Sequence, residues 1–192
     1  MNFRSMHSCT PLRLFRTRGC CRRVLQRAGL RAGAPEKDLI LHECTDEGFQ
    51  SQIVLSTTST VDANKLEALC VSVGWPKRPI HKVAAALENS FLLSSLVLHQ
   101  RDEAGNNTTT LIGFARATCD GVFTACIWDV LIAPSFQGMG LGRKLVEEVT
   151  QRLLDRGIGS VSLLSDARAV AFYTTQGFTL ECVSATRSVF AP

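Results

Sequence analysis

Residues 127–156 constrain this chain more than any other stretch. The run Ile127-Trp128-Asp129-Val130-Leu131-Ile132 is almost continuously apolar and is followed by Ala133-Pro134-Ser135-Phe136. Such a run predicts a strand over Phe123–Ala133, covered on both faces and ended by Pro134. Gln137-Gly138-Met139-Gly140-Leu141-Gly142 comes next, and then a helical period. Leu141, Leu145, Val146, Val149, Leu153 and Leu154 fall on one stripe of a helix from Gly140 to Arg156. Lys144, Glu147, Glu148, Gln151 and Arg152 fall on the opposite face, and Gly157 stops the helix. The first N–H groups of a helix have no intrahelical partner, and its dipole is positive at that end. Glycines let a bulky anion approach the main chain. This strand–turn–helix is therefore an anion cradle that needs no lysine.

Two familiar phosphate loops fit poorly. A nucleotide-binding Gly-Lys-Ser/Thr loop is absent, because Lys144 falls too late and no Ser or Thr follows it. A dinucleotide fingerprint needs G-x-G-x-x-G in a parallel unit near the start of the domain, whereas Gly138-x-Gly140-x-Gly142 follows a hairpin.

The flanking sequence predicts an α/β domain around a mixed sheet. Gln52–Thr57 reads as a first strand. Val61–Val73 reads as a helix with Val61, Leu66, Leu69, Cys70 and Val73 on one side, capped by Thr60 or Asp62 and stopped at Gly74-Trp75-Pro76. Pro79 begins a second helix, to about Asn89, with Ile80, Val83, Ala84 and Leu87 inward. Phe91–His99 and Leu111–Thr118 form a hairpin around the turn at Ala104–Asn107. Val161–Leu164 reads as a short buried strand, Ala167–Thr175 as a short helix, and Phe178–Val183 with Arg187–Phe190 as a final hairpin.

The cradle alone is a weak signal, but it has a companion. Asp166-x-x-Ala169-x-x-Phe172-Tyr173-x-x-x-Gly177-Phe178 follows the strand at 161–164. The pair of motifs, in this order, resembles the Q/R-x-x-G-x-G/A and N/D-x-x-A-x-x-F-Y-x-x-x-G-F signatures of the GNAT N-acetyltransferases. Gly74-Trp75-Pro76-Lys77-Arg78-Pro79, Gly113-Phe114-Ala115-Arg116-Ala117-Thr118, Ile127-Trp128-Asp129-Val130 and Pro134-Ser135-Phe136-Gln137 look like the plastid branch of plants and algae. That branch includes serotonin N-acetyltransferases and nuclear-shuttle-protein-interacting acetyltransferases. The resemblance covers about residues 50–190. It implies a GNAT fold: a mixed sheet of six to seven strands with one splayed pair, and about four helices.

The resemblance also implies site residues. Acetyl-CoA would wedge into the splayed pair, with its arm on the main chain of Val130, Leu131 and Ile132. Its pyrophosphate would lie on Gln137, Gly138, Met139, Gly140, Leu141, Gly142 and Arg143, although Arg143 is equally a solvent-facing helix residue. Asp166, Phe172 and Tyr173 would flank the arm. Tyr173, the single tyrosine of the chain, would be the general acid, against a purely structural tyrosine bonded to backbone. Asp129 is a carboxylate in an apolar strand, costly unless paired; it is a catalytic candidate or the ion-pair partner of Arg116. Asp166 is a base, a water-holding group or a helix cap. Ser160 departs from the branch, which carries Asn there. Phe91, Trp75, Phe114, Phe123 and Phe136 are candidates for an aromatic amine pocket, in competition with core roles. The acceptor implied is a protein lysine, a protein N-terminus or an arylalkylamine such as serotonin.

Charge separates the chain into parts. Residues 1–35 hold eight arginines and no Asp or Glu, so the body carries 13 basic residues against 17 acidic although the whole chain is +4. The Arg-rich start reads as a transit peptide, chloroplast first and mitochondrion second. Residues 36–50 are polar and read as a linker, and 51–192 as the catalytic domain. The acidic body argues against nucleic acid as partner, unless the basic tail binds it. No run of about 18–20 apolar residues spans a membrane. A homodimer stays open. The eight cysteines include no C-x-x-C pair and the four histidines share no ligand spacing, so reduced thiols and no metal are expected. The reading that competes with catalysis is an acetyl-CoA-binding module acting through a protein partner.

Overall fold

Strand pairing follows chain order almost from end to end. The computed structural model describes residues 21–23, 38–46, 49–57 and 60–180. Its strands are β1 (Cys21–Arg23), β2 (Leu39–Asp46), β3 (Phe49–Ser56), β4 (Leu92–Arg101), β5 (Asn107–Cys119), β6 (Thr124–Ile132) and β7 (Ser160–Leu163). They lie side by side in that order, with six strands from β2 onward and the three-residue β1 along the outer edge. Every pairing is antiparallel except β6 with β7, which is parallel. Parallel neighbours need a crossover, and the long helix supplies it.

The helices are α1 (Ala63–Ser72), α2 (Ile80–Glu88), α3 (Leu141–Asp155) and α4 (Val170–Thr174). Single 3-10 turns at Pro134–Phe136 and Ala167–Ala169 precede α3 and α4. Asp62 caps α1, its Oδ1 accepting from the Asn64 N–H at 2.7 Å. Pro79 precedes α2 in extended conformation, where its missing N–H costs nothing.

The two faces of the sheet have separate cores. On one, Leu141, Leu145, Val149 and Leu153 of α3 pack against Ile53, Leu96, Ile112 and Ile127. Each such burial contributes about 1.5–3 kcal/mol. On the other, Leu66, Leu69 and Cys70 of α1 and Val83 and Leu87 of α2 pack on Phe114 and Leu131. A strand covered on both sides is what the apolar run of β6 predicts.

The structure corrects the sequence reading in several places. Residues 39–46, expected within a linker, form β2, which pairs with β3 along its whole length. Leu41 and Cys44 of β2 are buried. The first strand of the domain was expected at Gln52, yet β3 starts at Phe49. β7 alternates exposed and half-buried residues instead of being buried. Leu154 leaves the α3 stripe and is 48% exposed. Residues 178–180 are not a strand. The remainder of the expected final hairpin lies outside the described residues, as does the basic tail apart from Cys21–Arg23. No helix among the described residues is long and apolar enough to cross a membrane. Cys44, Cys70, Cys119 and Cys126 are free thiols.

Gly113 is the most closely packed of the described glycines. A Cβ there would stand 2.7 Å from Ile132 Cδ1 and 2.8 Å from Leu96 Cδ1. Gly113→Ala should therefore cost about 1–3 kcal/mol through overpacking, read as a lower urea midpoint. Adding Ile132→Val should recover part of that loss; if Gly113→Ala unfolds at the wild-type midpoint, the contact is not tight.

Candidate active site

One residue in the middle of β6 sets the site. Asp129 has φ 52°, the one non-glycine residue with positive φ among the described residues. Leu131 and Trp128 of β6 stand opposite Phe114 and Arg116 of β5, so Asp129 and Val130 together face Ala115 alone. This is a β-bulge, which bends its strand and increases the local twist. The parallel pairing with β7 runs from Thr124 to Ile127 and stops. Beyond that point β6 keeps β5 as its neighbour and has an open edge among the described residues, the splay expected between these strands.

That edge presents main-chain groups. The Ala133 N–H donates to the Ile112 carbonyl at 2.7 Å. Alternation along an antiparallel ladder then turns the Ile132 main chain away from β5, into the gap. Gln137 confirms the direction: its Nε2 donates to the Ile132 carbonyl at 3.0 Å. Leu131 is buried toward α1 and α2, while Val130 and Ile132 pack on the α3 side.

The cradle lies at the end of this edge. Gly138 (φ 77°) and Gly140 (φ 79°) are both left-handed. Among the described residues, no heavy atom beyond the adjoining backbone and chain neighbours lies within 4 Å of where a Cβ would stand on either. Gly140 is the N-cap of α3, no side chain caps the helix, and its first turn holds no acidic residue. The N–H groups at this end are thus open and aimed at unfilled space. A diphosphate fits these features, and an acetyl-CoA thioester arm fits the open edge of β6. Met139 and Leu141 turn their side chains into the core and offer only main chain. Arg143 bends along the helix to Glu147 at 3.0 Å and toward the Thr175 carbonyl at 3.5 Å, away from the glycine loop. A Cβ on Gly142 would meet Ile132 Cγ1 at 3.5 Å and Phe172 Cζ at 3.6 Å. So the strand end, the start of α3 and the ring from α4 converge there.

The three carboxyl and hydroxyl candidates have distinct surroundings, and no hydrogen bond joins any two of them. Asp129 accepts from Arg116 Nε at 2.6 Å and from Arg78 Nη1 at 3.4 Å, so both oxygens are engaged. Asp166 caps the 3-10 turn before α4, accepting from the Arg168 N–H at 3.0 Å. That bond, with the Arg168 guanidinium beside it, holds its carboxyl below the usual range, which makes it a weak proton acceptor. Tyr173 packs edge-on to Phe172 and Phe178, with ring centroids 4.9 and 5.9 Å away. Burial raises its pKa, so its hydroxyl keeps its proton at neutral pH. No group among the described residues hydrogen-bonds that hydroxyl.

Sequence reasoning singled out five aromatics, and the structure spreads them. Phe114 and Phe136 are core. Phe123 is 73% exposed at the β5–β6 turn, and Phe91 lies under Arg156 at 5.1 Å. Trp75 alone reaches the Asp129 cluster, through the Arg78 guanidinium 6.0 Å above its ring. Glu67 and Arg78 were missed. The available signal was a glutamate beside Leu66 on the buried stripe of α1, where a carboxylate is costly without a partner. Among the described residues, no three His, Cys, Asp or Glu side chains gather as a metal site.

The left-handed backbone at Asp129 yields a test. Asp129→Gly should be more stable than Asp129→Ala by about 1 kcal/mol, because both lose the ion pairs and only glycine accepts this φ freely. Chemical denaturation of the two variants decides it. The opposite order, usual within a strand, would mean that the bulge relaxes.

Comparison with known proteins agrees with this geometry. The acetyltransferase (GNAT) family model matches residues 61–178. The chain is 46% identical over 145 residues to "Histone acetyltransferase TAP1" of Glycine max, covering 74% of this chain and 63% of that one. It is 38% identical over 155 residues to "GCN5-related N-acetyltransferase 2, chloroplastic" of Arabidopsis thaliana, covering 75% and 60%. The chain thus spans about three-fifths of the length of these plant relatives. A solved acetyltransferase of Trypanosoma brucei superposes with a TM-score of 0.54 at 20% identity, over 71% of this chain and 99% of that one, a likeness of fold. With its family match, its relatives and its splayed sheet in agreement, the chain belongs to the GNAT acetyltransferase family.

Proposed function

We propose that this protein transfers the acetyl group of acetyl-CoA to a primary amine. The observation that carries the reading is the pair of left-handed glycines at the uncapped mouth of α3, beside the open edge of β6. Main-chain N–H groups of 138–142 would hold the diphosphate, and the Ile132 main chain would hold the arm. Acetyl-CoA supplies an activated acyl group as a thioester, which an unprotonated amine attacks directly.

The chain's own residues then have separable tasks. Tyr173 donates its proton toward the departing sulfur. Asp129 serves through the bulge it holds. Asp166 fixes the turn that carries α4, and with it Tyr173. The acceptor amine sheds its proton to water, which the carboxylates at 129 and 166, both held in ion pairs, are the candidates to order.

The acceptor we propose is a protein amine, either a lysine ε-amine or an N-terminal α-amine. Support comes from the relative named a histone acetyltransferase and from the dispersal of Phe91, Phe114, Phe123 and Phe136, none of which joins the Asp129 cluster. Serotonin or another arylalkylamine is the second acceptor class. We place the protein in the plastid on the strength of its Arg-rich, acid-free first 35 residues and the relative named chloroplastic. N-terminal sequencing of the protein from its host checks that placement.

Incubation with acetyl-CoA, a mixed peptide pool and serotonin, read by mass spectrometry, assigns the acceptor. Acetylated ε- or α-amines are the expected product; an acetylated indolamine alone would move the assignment to small amines. Tyr173→Phe should bind acetyl-CoA as the wild type does yet lose more than about tenfold in kcat, as removal of a general acid does. The wild-type rate should decline only above the ordinary tyrosine value of 10.0, because a raised pKa retains the proton to higher pH. Tyr173→Phe should lack that alkaline limb. Unchanged turnover in the variant would remove Tyr173 from the chemistry.

A further inference from the structure

Arg78 lies in the connection between α1 and α2, where an arginine would ordinarily swing in solvent. Contacts with four residues prevent that. Glu67 on α1, only 3% exposed, grips it twice: Oε1 accepts from the Arg78 backbone N–H, and Oε2 accepts from Nε at 3.1 Å. Nη2 reaches Sγ of fully buried Cys70 at 2.9 Å. The Trp75 ring flanks the guanidinium at 6.0 Å. The remaining arm, Nη1, extends to Asp129 Oδ1 at 3.4 Å, opposite the Arg116 contact on Oδ2.

Packing does not require this arrangement. An apolar residue at position 67 would bury the same face of α1 without desolvating a carboxylate. Cys70 is not a competing nucleophile, since burial pushes its thiol up to about 11 and it stays protonated. What the buried glutamate accomplishes is to aim one guanidinium at one residue, and that residue is the left-handed hinge of β6. A planar fork can grip a carboxylate with one side and reach past it with the other, which an ammonium cannot do.

We infer that Glu67 and Arg78 are positioning residues that act through Asp129, holding the β6 bulge left-handed and locking the α1–α2 connection to it. The connection on the α1–α2 face of the sheet and the open-edged strand within the sheet thereby move as one unit. The consequence for turnover rests on the acetyl-transfer reading; the mechanical linkage does not.

Two measurements on the full chain test this. Amide hydrogen exchange compares the wild type with Arg78→Gln and with Arg78→Lys, which keeps the charge but not the fork. Both variants should speed exchange about tenfold at 127–131, the effect of losing roughly one charge-assisted hydrogen bond, as well as at 67–79. Acceleration confined to 67–79 would overturn the inference. If Arg78→Gln does not fold, Arg78→Lys and Glu67→Gln must show the same pattern. The second measurement is a double-mutant cycle in kcat. Arg78→Gln and Asp129→Asn should each lower kcat about tenfold, and the double variant should be no slower than Asp129→Asn within about twofold. Multiplying losses would mean that Arg78 acts independently of Asp129. A wild type that acetylates no amine would defeat the acetyl-transfer reading, and the exchange data would still decide the linkage.

Discussion

Asp129 sits in a backbone conformation that a strand residue with a side chain normally avoids, at a cost of about 1–3 kcal/mol. Aspartate is among the residues that tolerate a left-handed φ best, and here two guanidiniums hold its carboxylate. The extra residue this conformation admits bends β6 next to the last rung it shares with β7. Before the bulge, β6 is an ordinary central strand with a neighbour on each side. After it, one edge is free among the described residues, and the Ile132 main chain faces a gap. The open edge, the cradle beyond it and the cluster beneath it all take their places from that bend.

The two sides of β6 then have different characters. Toward α3 lie apolar packing and uncapped N–H groups, suited to a long thioester carrier with an anionic end. Gly140 matters there by what it lacks: it accepts a left-handed φ and leaves the helix mouth open. Toward α1 and α2 lie paired charges, with Glu67 and Asp129 balanced by Arg78 and Arg116. A neutral, tightly bonded cluster resists rearrangement, which suits a scaffold more than a proton acceptor.

The legible and illegible parts of this chain divide along physical lines. α3 was legible because its apolar stripe obeys one period over four turns, and the cradle was legible because left-handed backbone needs glycine. Asp129 stood out because a carboxylate in an apolar strand needs a partner, and Arg116 was already the named one. β2 was hidden because His42, Glu43, Thr45 and Asp46 look like loop residues; Leu41 and Cys44 become core only once β3 pairs alongside. Arg78 was hidden for a related reason. Its role depends on Glu67, eleven residues earlier, and Asp129, fifty-one later, and no local pattern connects those positions. The five aromatics misled because residue type says nothing about which end of a strand a ring occupies.

In the proposed function, main-chain amides at the mouth of α3 grip a diphosphate and so direct a thioester along the open edge of β6. Isothermal titration of the folded protein tests it most directly, with acetyl-CoA compared against acetyl-pantetheine, which has the arm without the diphosphate. One saturable site is expected for acetyl-CoA, with Kd of about 1 µM to 1 mM, in line with typical substrate KM values, and binding weaker by more than about tenfold is expected for acetyl-pantetheine and for acetyl-CoA with Gly140→Val. No heat of binding at millimolar acetyl-CoA, or equal affinity for the two ligands, would contradict it.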